Sequence, residues 1–312
     1  MVLVDTLAPL VLLIALGAAL ARIRFLGSAF IADLNKLAFW IALPALLFTS
    51  ASGAASPHSG TFRLFAVLVV GTALITLLAF AASFALRMPA STRGTLMQAA
   101  FRGNLAYIGI PVLAYSFSES PTESSTRALA TAVIVMVFTM ALYNILAVIV
   151  LQSSIHAPGG IDWRRSALAI LSNPLLLAGL LGLIVPLLRI TLPSFLQRAL
   201  EALGAAAVPI ALMCIGGSLA TTTLQGRRSW IVTAALLKVA MLPFLVFLLT
   251  RLAGLEPADQ RTALVLASCP TAAAAFVMAR QMGGDEALAS GSIALSTLLS
   301  FISLSIALWV TS

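Results

Sequence analysis

Residues 99–115 read AAFRGNLAYIGIPVLAY. Arg102, Gly103, Asn104, Gly109 and Pro111 fall close together in a chain that is 61% hydrophobic and only 9% charged. Each is a poor residue for a helix in lipid. A second stretch, ALVLASCPTAAAAFVMARQM, places Ser268, Cys269, Pro270 and Thr271 before a run of small residues. Proline removes a backbone donor and clashes with the carbonyl four residues earlier, yet it suits the first turn of a new helix. The two stretches are therefore expected to be helices broken in mid-membrane, where protein or water must satisfy the freed backbone groups. The first half of one ends near Arg102–Gly103 and its second half begins near Pro111. In the other, a half-helix starts at Pro270, with Thr271 and four alanines as its first turns. Helix N-termini present free N–H groups and partial positive charge, so two of them facing each other would hold an anion, a carboxylate above all.

The polar residues agree with that sign. Arg102 and Lys238 are the deepest basic residues in apolar sequence, and no Asp or Glu lies equally deep. Ionisable groups within a membrane are costly and commonly functional. Asn104, Asn144, Asn173 and Ser268 add neutral hydrogen bonds. Bland alternatives stand beside this reading: Lys238 snorkelling or pairing with Asp33, Arg102 at an interface, and Asn104 as a structural cap. Pro9, Pro174 and Pro186 read as kinks or helix ends. The candidate substrate contacts are thus Arg102, Gly103, Asn104, Pro111, Lys238, Ser268, Cys269, Pro270 and Thr271. Enzyme chemistry is not expected, because no Ser/His, paired-carboxylate or metal constellation lies in the apolar segments. No cofactor is implied. Cys214 and Cys269 sit in apolar sequence, and His58 and His156 in polar loops.

The elements that position these residues follow from composition. So little charge cannot cover a soluble surface, and a span needs about 20 mostly apolar residues. Ten windows qualify: roughly 3–21, 31–49, 64–86, 95–117, 128–151, 167–188, 203–219, 230–250, 262–279 and 287–310. The N-terminal segment continues as a span rather than ending in a signal cleavage site. The net charge of +8 reflects basic loops, with no basic and aromatic face for nucleic acid. Odd-numbered loops are richer in Lys and Arg than even-numbered ones, which places both termini on the non-cytoplasmic side.

Shifting the chain by 165 residues matches Pro9 with Pro174, Gly17 with Gly182, Arg24 with Arg189, Phe30 with Phe195 and Pro44 with Pro209. Two five-helix repeats, residues 1–152 and 167–312, would flank a short cytoplasmic linker at 153–166. Five is odd, so the second repeat enters from the opposite side, a pattern of secondary transporters. The expected fold is an all-α integral membrane protein of ten helices in two inverted repeats, with helices four and nine broken.

Six segments carry a family resemblance: LNKLAFWIALPALLF, RGNLAYIGIPVL, SNPLLLAGLLGL, PIALMCIGGSLA, LLKVAMLPFL and SCPTAAAAFVMARQMGGD. In order and spacing the chain resembles the auxin efflux carrier (PIN-like) transporters, and its short central linker resembles the compact bacterial members. The resemblance implies a scaffold of spans 1, 2, 6 and 7 and a transport domain of spans 3–5 and 8–10, in a bacterial inner membrane. It implies that spans 4 and 9 cross beside the substrate, an organic anion such as malate, malonate or an auxin-like acid. Onto this chain it carries Asn104, Pro111 and Pro270 with its neighbours. It also implies a homodimer. Coupling stays open between sodium, a proton and the membrane potential. The rival readings are a sodium-coupled bile-acid or bicarbonate-type symporter, and an anion receptor that transports nothing.

Overall fold

The computed structural model describes residues 2–52, 59–118, 123–155, 173–221 and 226–311. His58, His156, most of the expected linker and the start of the sixth expected span, up to residue 172, lie outside these. The described residues form helices joined by turns, with one isolated antiparallel bridge. In chain order they are α1 (Val2–Arg22), α2 (Ser28–Leu37), α3 (Leu43–Ser52), α4 (Ser59–Ala85), α5 (Ala90–Phe101), α6 (Ile110–Ser118) and α7 (Glu123–Ile155). There follow α8 (Pro174–Leu187), α9 (Ser194–Thr221), α10 (Arg228–Leu236), α11 (Leu242–Leu252), α12 (Pro257–Ser268), α13 (Ala274–Gln281) and α14 (Glu286–Val310). Among the described residues, six segments are long and apolar enough to cross a membrane: Ser28–Ser52, Gly60–Ala85, Arg127–Ser154, Ser194–Ala220, Arg228–Leu252 and Glu286–Val310. Shorter apolar helices cover Ala8–Arg22, Leu105–Phe117 and Pro174–Leu187. Large apolar side chains such as Leu12, Phe244 and Ile302 are exposed, as a lipid-facing surface requires.

Three helices run through a π turn: Ala38–Ala42 joins α2 to α3, Leu105–Gly109 precedes α6, and Leu237–Met241 joins α10 to α11. Each is followed by a proline two residues past its end: Pro44, Pro111 and Pro243. The carbonyl that each proline ring would strike belongs to the residue four earlier. That residue is Trp40, Tyr107 or Val239, the centre of the respective π turn. Widening the helix by one residue there moves the carbonyl clear of the ring. Lys238 lies inside the third turn.

The chain forms two compact units. The first comprises Met1–His58, Ala106–Val137 and Leu171–Thr222; the second comprises Ser59–Leu105, Phe138–Ile170 and Thr223–Ser312. In the first unit α1 packs along α9, and α3 packs against α8. Small residues permit this. A Cβ on Gly17 would overlap the Met213 backbone, and one on Gly182 would overlap that of Phe48. The two contacts are reciprocal at the 165-residue offset. The turns after α1 and α8 match at the same offset. Arg24 (φ 61°) and Arg189 (φ 51°) both adopt the left-handed conformation, which is uncommon for non-glycine residues. Their N–H groups donate to the carbonyls of Ala21 (3.1 Å) and Pro186 (3.2 Å).

In the second unit α4 and α5 pack together, α11 and α12 adjoin them, and α14 closes on α10 and α12. Met88, Leu96, Ala99, Ile231, Ala234 and Leu288 form an apolar cluster at one end. Spans 3, 8, 9 and 10 of the resemblance fall in this unit. Spans 4 and 5 are divided between the units, at Leu105/Ala106 and Val137/Phe138.

Candidate functional site

The two broken segments meet in the second unit. α5 ends at Phe101 and α12 at Ser268. Between α5 and the π turn, and between α12 and α13, the chain runs extended. Gly103 and Thr271 form an antiparallel bridge. The Asn104 N–H donates to the Pro270 carbonyl at 2.7 Å, and the Ala272 N–H donates to the Arg102 carbonyl at 2.9 Å. This short ladder satisfies backbone groups that lipid could not. Pro270 supplies only an acceptor here, so its missing N–H costs nothing.

The ladder corrects the expected helix start. The second half-helix begins at Ala274, not at Pro270, and Thr271 is not in its first turn. The reason lies in donors claimed from afar. The Thr271 N–H bonds the Ser296 hydroxyl (3.0 Å), the Thr271 hydroxyl donates to the Ala99 carbonyl (2.8 Å), and Arg102 takes the Ala272 N–H. These residues stay extended until the last of those bonds is made. Pro111 sits at the second position of α6, close to the expected start. It belongs to the first unit, whereas the other candidates belong to the second.

Successive side chains of an extended segment point to opposite faces. One face carries Gly103 and Thr271. Lys238 lies on that side, its Nζ 3.3 Å from where a Gly103 Cβ would sit. Lys238 is fully buried and donates to the Ala267 carbonyl at 2.9 Å. It thus caps the carbonyl end of α12, where a cation is favourable. Asp33 is engaged elsewhere, paired with Lys36 at 3.0 Å. This face is closed by Ala99, Ser296 and Lys238.

The other face carries Arg102 and Asn104. Arg102 is 7% exposed. Its Nη1 donates to the Tyr143 carbonyl (3.4 Å) and to the Met278 sulfur (3.0 Å), and its Nη2 donates to Asn144 Oδ1. Three of the five guanidinium N–H donors are so occupied, and two have no partner among the described residues. Asn104 is half-buried, and its side-chain amide has no hydrogen-bond partner among the described residues. Ala273 and Ala274 at the start of α13 are exposed, and their N–H groups reach no protein acceptor among the described residues. Neither Arg102 nor Lys238 has a carboxylate partner there. Two buried cations without a carboxylate partner among the described residues make the crossing electropositive.

The remaining candidates are structural in their contacts. Cys269 donates to the Val265 carbonyl at 3.2 Å. Ser268 Oγ is buried without a partner among the described residues, at the end of α12. Asn173 caps α8 by accepting from the N–H groups of Leu175 and Leu176. Met278, Ser296 and the Ala99 carbonyl were not singled out by residue type. Ser296 had a signal: Ser292, Ser296, Ser300 and Ser303 lie at helical spacing and are all buried. Among the described residues no group of His, Cys, Asp or Glu could hold a metal.

A lipid-facing helical chain with a charged, interrupted crossing is the architecture of a membrane carrier. A family model described as membrane transport protein matches residues 2–309, and the chain belongs to this auxin efflux carrier-like family. It is a membrane transporter and not an enzyme. It is 29% identical over 298 residues, 92% of this chain and 89% of the relative, to a protein of Rhizobium meliloti provisionally named a malonate transporter. It is also 25% identical over 283 residues, 88% of this chain and 87% of the relative, to an uncharacterized transporter of Methanocaldococcus jannaschii.

Proposed function

We propose that this protein is a secondary carrier for a small organic anion, a carboxylate of the malonate or malate type. The observation that carries this is Arg102: a buried cation with only neutral partners among the described residues, beside a half-buried Asn104 and the open first turn of α13. Two free guanidinium donors are the number a carboxylate takes in a bidentate pair. The α13 N–H groups add a second anion-favouring element. The malonate named for the Rhizobium meliloti relative is such an anion.

Ten helices in two inverted repeats are part of the same proposal. Its support is the reciprocal packing of Gly17 on Met213 and Gly182 on Phe48, with matching left-handed turns at Arg24 and Arg189. Reciprocal contacts are what a two-fold relation produces. The second unit, which holds the crossing, would carry the anion in an elevator-like cycle through an inner membrane. Both termini would lie on the non-cytoplasmic side.

The test is uptake of labelled malonate and malate into liposomes holding the purified protein, with and without sodium, beside calorimetric binding. Saturable uptake of at least one of the two anions is expected. Binding without flux would make the protein a receptor. Strict sodium dependence would favour the symporter alternative.

A further inference from the structure

The second unit carries a cavity of about 450 Å³ that the carboxylate site does not use. It is a groove between α10–α11, the end of α12, and α14. Its walls include Val239, Ala240, Phe247, Ile302 and Val310, with Ser268 on its floor. Two walls belong to Arg228–Leu252 and Glu286–Val310, both long and apolar enough to span a membrane. The groove therefore opens toward hydrocarbon.

Its ends differ. The inner end is Ser268, one residue before the extended crossing and next to Ala267, whose carbonyl Lys238 holds. The outer end is Phe247 and Val310. There the Arg251 guanidinium lies over the Phe247 ring, 5.1 Å from its centroid, and Arg251 is exposed. Trp309 is exposed at the same end, and Arg261 donates to the Thr311 carbonyl at 2.6 Å. Tryptophan and arginine at a helix end mark the membrane interface. From Leu299 to Val310 the wall rises about 16 Å at the helical rise of about 1.5 Å per residue. One leaflet of hydrocarbon is roughly 15 Å deep, half of the roughly 30 Å core.

We infer that this groove is a binding site for one anionic phospholipid, its acyl chain lying along the groove to Ser268 and its headgroup phosphate on Arg251. The length suits one leaflet, the lining is apolar apart from Ser268 and Ser303, and the exposed cation Arg251 stands at the interfacial end. The chain would then back the end of α12 from the lipid side, opposite to no part of the carboxylate face. Lipid and carboxylate would be bound independently.

Native mass spectrometry of the detergent-purified protein with phosphatidylglycerol or phosphatidylcholine tests this. Wild type should retain one phosphatidylglycerol per chain in preference to phosphatidylcholine. Ala240→Trp, which fills the exposed groove wall, should lose that lipid. Arg251→Gln should lose about fivefold in preference, the worth of one cation at an anionic surface. Should Ala240→Trp not fold, Ser303→Leu narrows the groove from α14 and gives the same reading. Equal retention of the two lipids by wild type would overturn the inference, as would undiminished phosphatidylglycerol binding in a groove-filled variant. Cross-linking of two chains through Ala240→Cys in native membranes would instead assign the groove to a second copy. Malonate binding by Ala240→Trp should match wild type, so a failed lipid site leaves the carrier proposal intact.

Discussion

Arg102 and Lys238 lie on opposite faces of the crossing, and charge-conserving substitutions separate their roles. Arg102→Lys keeps the positive charge, so the long-range field on an anion is preserved. It removes the planar fork with its two spare N–H donors, and an ammonium cannot reproduce the bidentate geometry. One charge-assisted hydrogen bond is worth about 1.5–3 kcal/mol. At about 1.4 kcal/mol per decade, malonate affinity should fall about 10- to 150-fold. Lys238→Arg should do the reverse. Its site is closed, with Nζ 2.9 Å from the Ala267 carbonyl and 3.3 Å from the position of a Gly103 Cβ. A guanidinium overpacks it, at a cost of about 1–3 kcal/mol. Folded Lys238→Arg protein should bind malonate within about twofold of wild type, since it makes no contact on the carboxylate face. Calorimetry gives the affinities and thermal melting in detergent the stabilities. Affinity lost equally in both variants, or unchanged in Arg102→Lys, would refute the division into a binding face and a closed face.

Three further outcomes follow from the same geometry. Asn104→Ala should weaken anion binding about 2- to 12-fold, the worth of one neutral hydrogen bond of about 0.5–1.5 kcal/mol, while expression and melting stay as in wild type; unchanged transport would remove Asn104 from the site. Gly103→Val should lower stability by about 1–3 kcal/mol, because its Cβ would stand 2.9 Å from Leu105 Cδ2 and 3.3 Å from Lys238 Nζ; melting temperature reports it. Thr271→Val keeps the shape but loses the 2.8 Å donation to the Ala99 carbonyl, so thermal melting should show a loss of about 0.5–1.5 kcal/mol.

The break in the first segment is legible because Gly103, Asn104 and Pro111 each disfavour a continuous helix, and α5 stops at Phe101 just before them. The start of α13 is not. Proline announces that a ladder bond is missing, but nothing local announces that Ser296 and Arg102 will claim the next two donors. Those partners lie far away in the chain, and one of them is a main-chain carbonyl. Lys238 was hidden for the same reason: its depth was readable from the apolar residues around it, whereas its partner is the Ala267 carbonyl. Asn144 was readable as a buried hydrogen-bonding group, though not as the acceptor for Arg102. The π turns follow from proline sterics, but only a register fixed by tertiary packing makes bulging easier than breaking.

The crossing meets two demands that lipid normally sets against each other. A binding site needs polar groups with spare capacity, and hydrocarbon penalises every such group. The ladder divides the extended residues between the demands. Gly103 and Thr271, with the Ala99 carbonyl, Ser296 and Lys238, use their polar capacity within the protein and hold the segments together. Arg102, Asn104 and the first turn of α13 keep capacity unspent. Strand alternation separates the groups by face, so stability and binding are not competing for the same atoms. A continuous helix could not do this, because its own ladder consumes the N–H groups that here begin α13. The extended interruption, costly in isolation, is what frees main-chain donors at the start of α13. In the proposed carrier, an entering anion would satisfy those donors and the Arg102 charge together. Arg102, already buried, would need little further desolvation on binding.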